Sequence, residues 1–158
     1  MKISILLETN SSGGGSFTHS VNTCLDLKRF CGTKNEIIVY TQFKQSFEIL
    51  KNLKIPVKLF SHSFLDKLTL KLSVFKFFRF LTSLINIQIL VEKTIIKNKS
   101  DLIFFPVLSN TVFCLRKMRF ISTLLDLEHF KHSTFPEITQ KEFNYRENLY
   151  FYSLKRSE

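Results

Sequence analysis

The sequence predicts an α/β domain: an open, mostly parallel sheet with helices on both faces. Three observations carry this. Short apolar runs alternate with longer helical patterns along most of the chain. The runs are continuously apolar, as in strands covered on both sides. A loop holding three of the four glycines sits between the first run and the first helical pattern.

The elements follow in order. Lys2 to Leu7 is a strand. The loop Thr9 to Ser16 contains Gly13, Gly14 and Gly15. In the helix that follows, Phe17, Val21, Cys24, Leu25 and Phe30 recur at near-helical spacing, with Ser16 as its cap and Gly32 as its stop. Glu36 to Thr41 is the second strand, Ser46 to Leu53 a short helix, and Ile55 to Phe60 a third strand. Pro56 near its start predicts an edge position. Phe64 to Lys99 reads as a long helical region broken once. In it Leu70, Val74, Phe77, Leu81 and Leu84 make a single apolar stripe, the pattern of a helix packed on the sheet. Asp101 to Val107 and Phe120 to Leu125 are the fourth and fifth strands, and Thr139 to the end is a helix. Alternation of this kind builds a Rossmann-like layer with right-handed crossovers.

Composition narrows the function classes. The 158 residues make one domain, 1–158, that needs no disulfide or metal to hold a core; 44% of them are hydrophobic and 23% charged. The net charge of +10 suggests an anionic partner. However, 17 Lys, 18 Phe, 14 Ile and 9 Asn, with no Ala or Trp, are the signature of AT-rich coding, so part of the lysine excess is mutational. Lysine outnumbers arginine 17 to 6 and is spread along the chain, which argues against nucleic acid. Cys24 and Cys31 lie seven residues apart in a helical stretch, about 10 Å along its axis, too far for a disulfide. With Cys114 they read as reduced thiols in a cytoplasmic protein. The first apolar run ends at Glu8, too early for a signal peptide. The longest uncharged runs, Phe80 to Val91 and Leu102 to Leu115, fall short of the ~18–20 residues a spanning helix needs.

Two segments lie where a parallel sheet binds ligands, beyond the carboxyl ends of its strands. Gly13, Gly14 and Gly15 let a backbone approach an anion at a helix N-terminus, although the loop is neither GxGxxG nor a Walker loop. After the fifth strand, Asp126, Glu128, His129, His132 and Glu137 crowd a short stretch. His129 and His132 have no evident third or fourth ligand, so no metal is expected.

Taken together, the triple-glycine loop and the block Asp126-Leu127-x-His129, Phe135-Pro136-Glu137, Glu142-Phe143, Arg146-Glu147 and Tyr150 resemble the N-terminal half of family 4 retaining glycosyltransferases of the GT-B fold. The resemblance runs from Met1 to the last helix, and the block from Asp126 to Tyr150 is its specific part. It implies an acceptor-side domain. Gly13, Gly14, Gly15, Asp126, His129 and Glu137 would line the cleft, with Asp126 and His129 as the candidate catalytic residues. A nucleotide sugar would be the co-substrate, and the chain itself would hold no cofactor. Lys67 to Arg79 would face acceptor or membrane, placing the protein in the cytoplasm or peripherally at the inner face of the membrane. Leu125 stands where many members carry His and can exchange no proton. The donor-binding C-terminal domain lies outside the 158 residues, so the expectation is a fragment or split half, completed by a second chain and inactive alone. The alternative is a non-enzymatic basic module for an anionic membrane or a partner protein, suggested also by the aromatic residues of the last helix.

Overall fold

A computed structural model describes residues 1–31, 35–125 and 139–156. The strands are β1 (Lys2–Leu7), β2 (Glu36–Thr41), β3 (Val57–Leu59), β4 (Leu102–Phe105) and β5 (Phe120–Ser122). The helices are α1 (Gly15–Cys31), α2 (Lys44–Asn52), α3 (Phe64–Leu72), α4 (Lys76–Leu84), α5 (Leu90–Lys97) and α6 (Gln140–Arg156), and a 3₁₀ turn spans Asn110–Cys114. All strands are parallel, in the order β3-β2-β1-β4-β5. This is the expected Rossmann-like open sheet.

Alternation along the strands divides the core in two. Ile3, Ile5 and Leu7 of β1 join Ile37 and Val39 of β2 on one face, under Phe17, Val21 and Cys24 of α1 and Leu50 of α2. Leu6, Ile38, Tyr40, Ile103 and Phe105 point to the other face, against Val91 and Ile95 of α5, Phe113 of the 3₁₀ turn and Leu149 of α6. Both faces are covered, so the central strands have no polar side and read as unbroken apolar runs. Ser4 and Thr41 are buried exceptions, and the Ser4 hydroxyl pairs with that of Ser100 at 2.7 Å.

β3 is an edge strand, as Pro56 requires. It is three residues long and hydrogen-bonds to β2 alone. β5 is equally short, ending at Ser122 instead of Leu125. Ser16 does not cap α1. The helix already includes Gly15, and the Ser16 hydroxyl donates to the Gly13 carbonyl at 2.9 Å. The expected stop at Gly32 lies outside the described residues.

The region from Phe64 to Lys99 is broken twice, into α3, α4 and α5. The first break lies at Ser73, whose hydroxyl donates to the Leu70 carbonyl at 2.7 Å and competes with the helical ladder. The second follows Ile85. There Asn86 adopts φ +52° and the Ile87 amide reaches back to the Thr82 carbonyl at 3.1 Å, a Schellman closure. The same closure, with Lys54 and Lys99 at φ +55°, ends α2 and α5. Of the expected apolar stripe, Leu70 packs against the core cluster, but the part on α4 does not pack on the sheet. Phe77 and Leu84 are exposed, and α4 instead turns Arg79 and Thr82 inward.

Candidate functional site

With the order β3-β2-β1-β4-β5, chain direction across the sheet reverses between β1 and β4. That is the switch point where open α/β sheets bind ligands. A cavity of about 640 Å³ lies there. Four of the five strand ends contribute to it: Glu8 follows β1, Gln42 follows β2, His62 comes soon after β3, and Leu108 to Thr111 follow β4. Phe64, Lys67, Leu68, Leu70 and Lys71 of α3 and Tyr145 of α6 complete the wall.

Glu8 is the acidic centre of this cavity. Its carboxylate accepts from the Ser109 hydroxyl and, at 2.8 Å, from the Thr111 hydroxyl. His62 Nε2 lies 3.6 Å from the same carboxylate, with both side chains nearly buried. Phe60 stands edge-on to the His62 ring, 5.1 Å between centroids at 89°, which holds the ring plane. Tyr145 donates to the Asn110 side-chain oxygen, and burial, then the nearby Glu142 charge, raises its phenol pKa. The phenol therefore stays protonated and a donor at neutral pH. Lys67 and Lys71 bring two ammonium groups to a wall that contains one carboxylate. A hydroxylated ligand with an anionic group and an apolar part matches this mixture of hydroxyls, amides, one carboxylate, two amines and the apolar side chains of Phe64, Leu68, Leu70 and Leu108.

The triple-glycine loop lies at the same end of the sheet but outside the cavity wall. Its shape is locally determined. The Gly13 amide donates to the Asn10 carbonyl at 2.8 Å, and a Cβ on Gly13 would come within 2.9 Å of that oxygen. Gly14 has φ +57°, the left-handed region that favours glycine. A Cβ at Gly15 would meet nothing within 4 Å, so the loop leaves open space at the start of α1. Ser11 ties it to α2 through a 2.6 Å bond to Gln45.

Asp126, His129 and Glu137 lie outside the described residues. Flanking parts of their motif do meet. Leu125 lines a second cavity, of about 230 Å³, together with Glu142, Arg146 and Tyr150 of α6. Arg146 Nε donates to Glu142 at 3.0 Å, one turn away. Tyr145 borders both cavities.

No motif marks Glu8, Gln42, His62, Ser109 or Thr111 in the sequence. Their signal was positional: each follows closely on a strand in a sheet already expected to be parallel. Among the described residues no group of three His, Cys, Asp or Glu could hold a metal ion. The three cysteines are free thiols, and burial pushes that of Cys24 up to about 12. No family model, curated protein or solved structure matches the chain.

Proposed function

We propose that this domain is the acceptor-side half of a retaining glycosyltransferase. The observation that carries the reading is the switch-point cavity, whose wall holds Glu8, Ser109, Thr111 and His62 together with Lys67 and Lys71. The motif resemblance supplies the reaction class. The acceptor occupies the cavity, and its hydroxyl is oriented by the polar ring around Glu8. The open backbone at Gly15 faces the diphosphate of a nucleotide sugar held by a second domain, in the same or another chain. In the transfer, the bond from the anomeric carbon to the diphosphate oxygen breaks and a bond to the acceptor oxygen forms. The acceptor's proton leaves with the diphosphate. This half contributes orientation of one reactant, and closure against the other half excludes water. Asp126 and His129, in the resembling motif, are the proposed cleft residues beside the anomeric carbon, with Glu137 further along the same wall.

The test is transfer of labelled hexose from nucleotide sugars, by the 158-residue chain alone and with a donor-side GT-B domain added. Alone, no turnover is expected; with the donor half, transfer should appear. Gly15→Tyr should then remove transfer without unfolding, because its Cβ meets no atom. Glu8→Gln should raise the acceptor KM. Turnover by the isolated chain, or a Glu8→Gln variant indistinguishable from wild type, would reject the assignment. One observation favours the non-enzymatic alternative, the exposed apolar face of α3 and α4. On that reading both substitutions are silent in every assay.

A further inference from the structure

We infer that α3 and α4 form a docking surface for an anionic lipid bilayer, lying on the headgroup layer with the phenylalanines of α4 inserted. The surface sharpens the membrane contact that the resemblance implies for Lys67 to Arg79, and it holds with or without transferase activity. It begins with an inversion: α4 turns Arg79 and Thr82 inward and Phe77, Phe80, Leu81 and Leu84 to solvent. Phe77, Phe80, Leu81 and Leu84 follow the i, i+3, i+4, i+7 spacing of one helix face, and Phe77 is 75% exposed, Phe80 63% and Leu84 67%. Arg79 on the opposite face is 7% exposed.

The inversion is fixed by specific bonds. Arg79 Nη2 donates to the Asn148 side-chain oxygen at 2.8 Å, and its guanidinium carbon lies 4.3 Å from the Phe113 ring centre and 4.8 Å from that of Tyr152. Asn148 also donates to the Val74 carbonyl at 3.0 Å, and Arg116 donates to the Thr82 hydroxyl at 2.8 Å. Rolling α4 over to hide its phenylalanines would strand all of these groups. The apolar face therefore stays out until something else covers it.

Charge identifies the cover. Between residues 61 and 91 the exposed charges are Lys67, Lys71 and Lys76, and all are positive. The one acid in that stretch, Asp66, is buried in a capping box with Ser63 and also accepts from the Leu90 amide. Lysine is depleted from the core of protein interfaces. Phenylalanine and leucine flanked by lysine, without acid, are instead the composition of helices that lie in an anionic membrane interface. Each helix has nine residues, too short to cross a bilayer, so the pair lies on the surface. Phe64, Lys67, Leu68 and Lys71 also line the switch-point cavity, which places the cavity mouth at headgroup level.

The chain contains no tryptophan, so Phe77→Trp gives a single reporter at a site where the larger ring meets solvent, not core. The emission should shift to the blue with vesicles holding about one-third phosphatidylglycerol, and much less with pure phosphatidylcholine. Phe30→Trp, on α1 and equally exposed, should not shift. Phe80→Ser added to the reporter should weaken partitioning roughly tenfold. Changing Lys67, Lys71 and Lys76 to Glu should erase the preference for anionic lipid. The inference fails if Phe77→Trp shows no shift with either vesicle. It also fails if the emission is already blue without lipid and reddens on dilution, which would mean that a second copy of the chain covers the face.

Discussion

α4 and α5 are neighbours in sequence and nearly equal in length, nine and eight residues, yet they face the core in opposite ways. α5 buries Val91 and Ile95 in the cluster under β1, β2 and β4. α4 buries Arg79 and Thr82 and leaves its phenylalanines in solvent. The difference teaches that an apolar stripe says a helix has two faces without saying which one meets the sheet. α5 leads directly into β4, so its stripe has strands to cover. α4 packs instead against α6 and the 3₁₀ turn, and the surface they offer is Asn148, Tyr152 and Phe113, suited to a guanidinium. Both helices also bury a charge. Glu92 of α5 is fully buried, and its Oε1 accepts from the amides of Arg116, Lys117 and Met118 at 2.8, 2.8 and 3.1 Å. Each charge pins its helix to the loop or helix that the sheet alone would not hold.

The largest effect should come from the α5 charge. Glu92→Ala leaves three loop amides without their acceptor and should destabilise the domain by about 3 kcal/mol or more, read from urea denaturation. Glu92→Gln keeps an acceptor oxygen in place and should cost roughly half as much. A Glu92→Ala variant as stable as wild type would mean that the loop from Arg116 to Met118 is not held by α5 at all.

The next contrast lies within α4. Arg79→Met removes the bond to Asn148 and the stacking on Phe113 and Tyr152, and should cost about 2–3 kcal/mol. Phe80→Ser, one residue on, should change stability in water by no more than about 0.5 kcal/mol, since the ring is already exposed. A phenylalanine costing more than the arginine would show that the helix faces the other way. Either variant can be measured by the midpoint of thermal or urea unfolding.

How much of this was legible from residues alone follows the same divide. The sheet was legible because strands covered on both faces leave unbroken runs such as Lys2–Leu7 and Glu36–Thr41, and because Pro56 admits only an edge. The three-way division of Phe64 to Lys99 was not, because no glycine or proline marks it. The chain uses the Ser73 hydroxyl, which competes with the helical ladder, and Asn86 in the left-handed conformation instead. The stripe through Phe77, Leu81 and Leu84 is legible as a stripe but the side it faces is not, since the surface that α4 packs on comes from α6, far along the chain. At the candidate site the glycine loop was legible through its composition. The ring of Glu8, His62, Ser109 and Thr111 carries no motif and emerges only when the strand order brings β1 beside β4.

The smallest expected effect tests whether helix ends or helix faces set the contrast. α4 and α5 end in the same closure, Asn86 with φ +52° and Lys99 with φ +55°, each followed by an amide that reaches back five residues. A side chain in this region costs about 1–2 kcal/mol, and asparagine tolerates it better than lysine. Glycine loses more backbone entropy on folding, which returns part of that gain. Lys99→Gly should therefore stabilise by about 0.5–1 kcal/mol, and Asn86→Gly by less. If the ends alone controlled how each helix sits, Asn86→Gly would also alter the exposure of the α4 phenylalanines. The bonds of Arg79 and Thr82 hold that face independently, so the emission of a Phe77→Trp reporter in water should be the same with Asn86 or Gly at that position. A shift in that emission would move control of the α4 face from its buried polar contacts to its terminus.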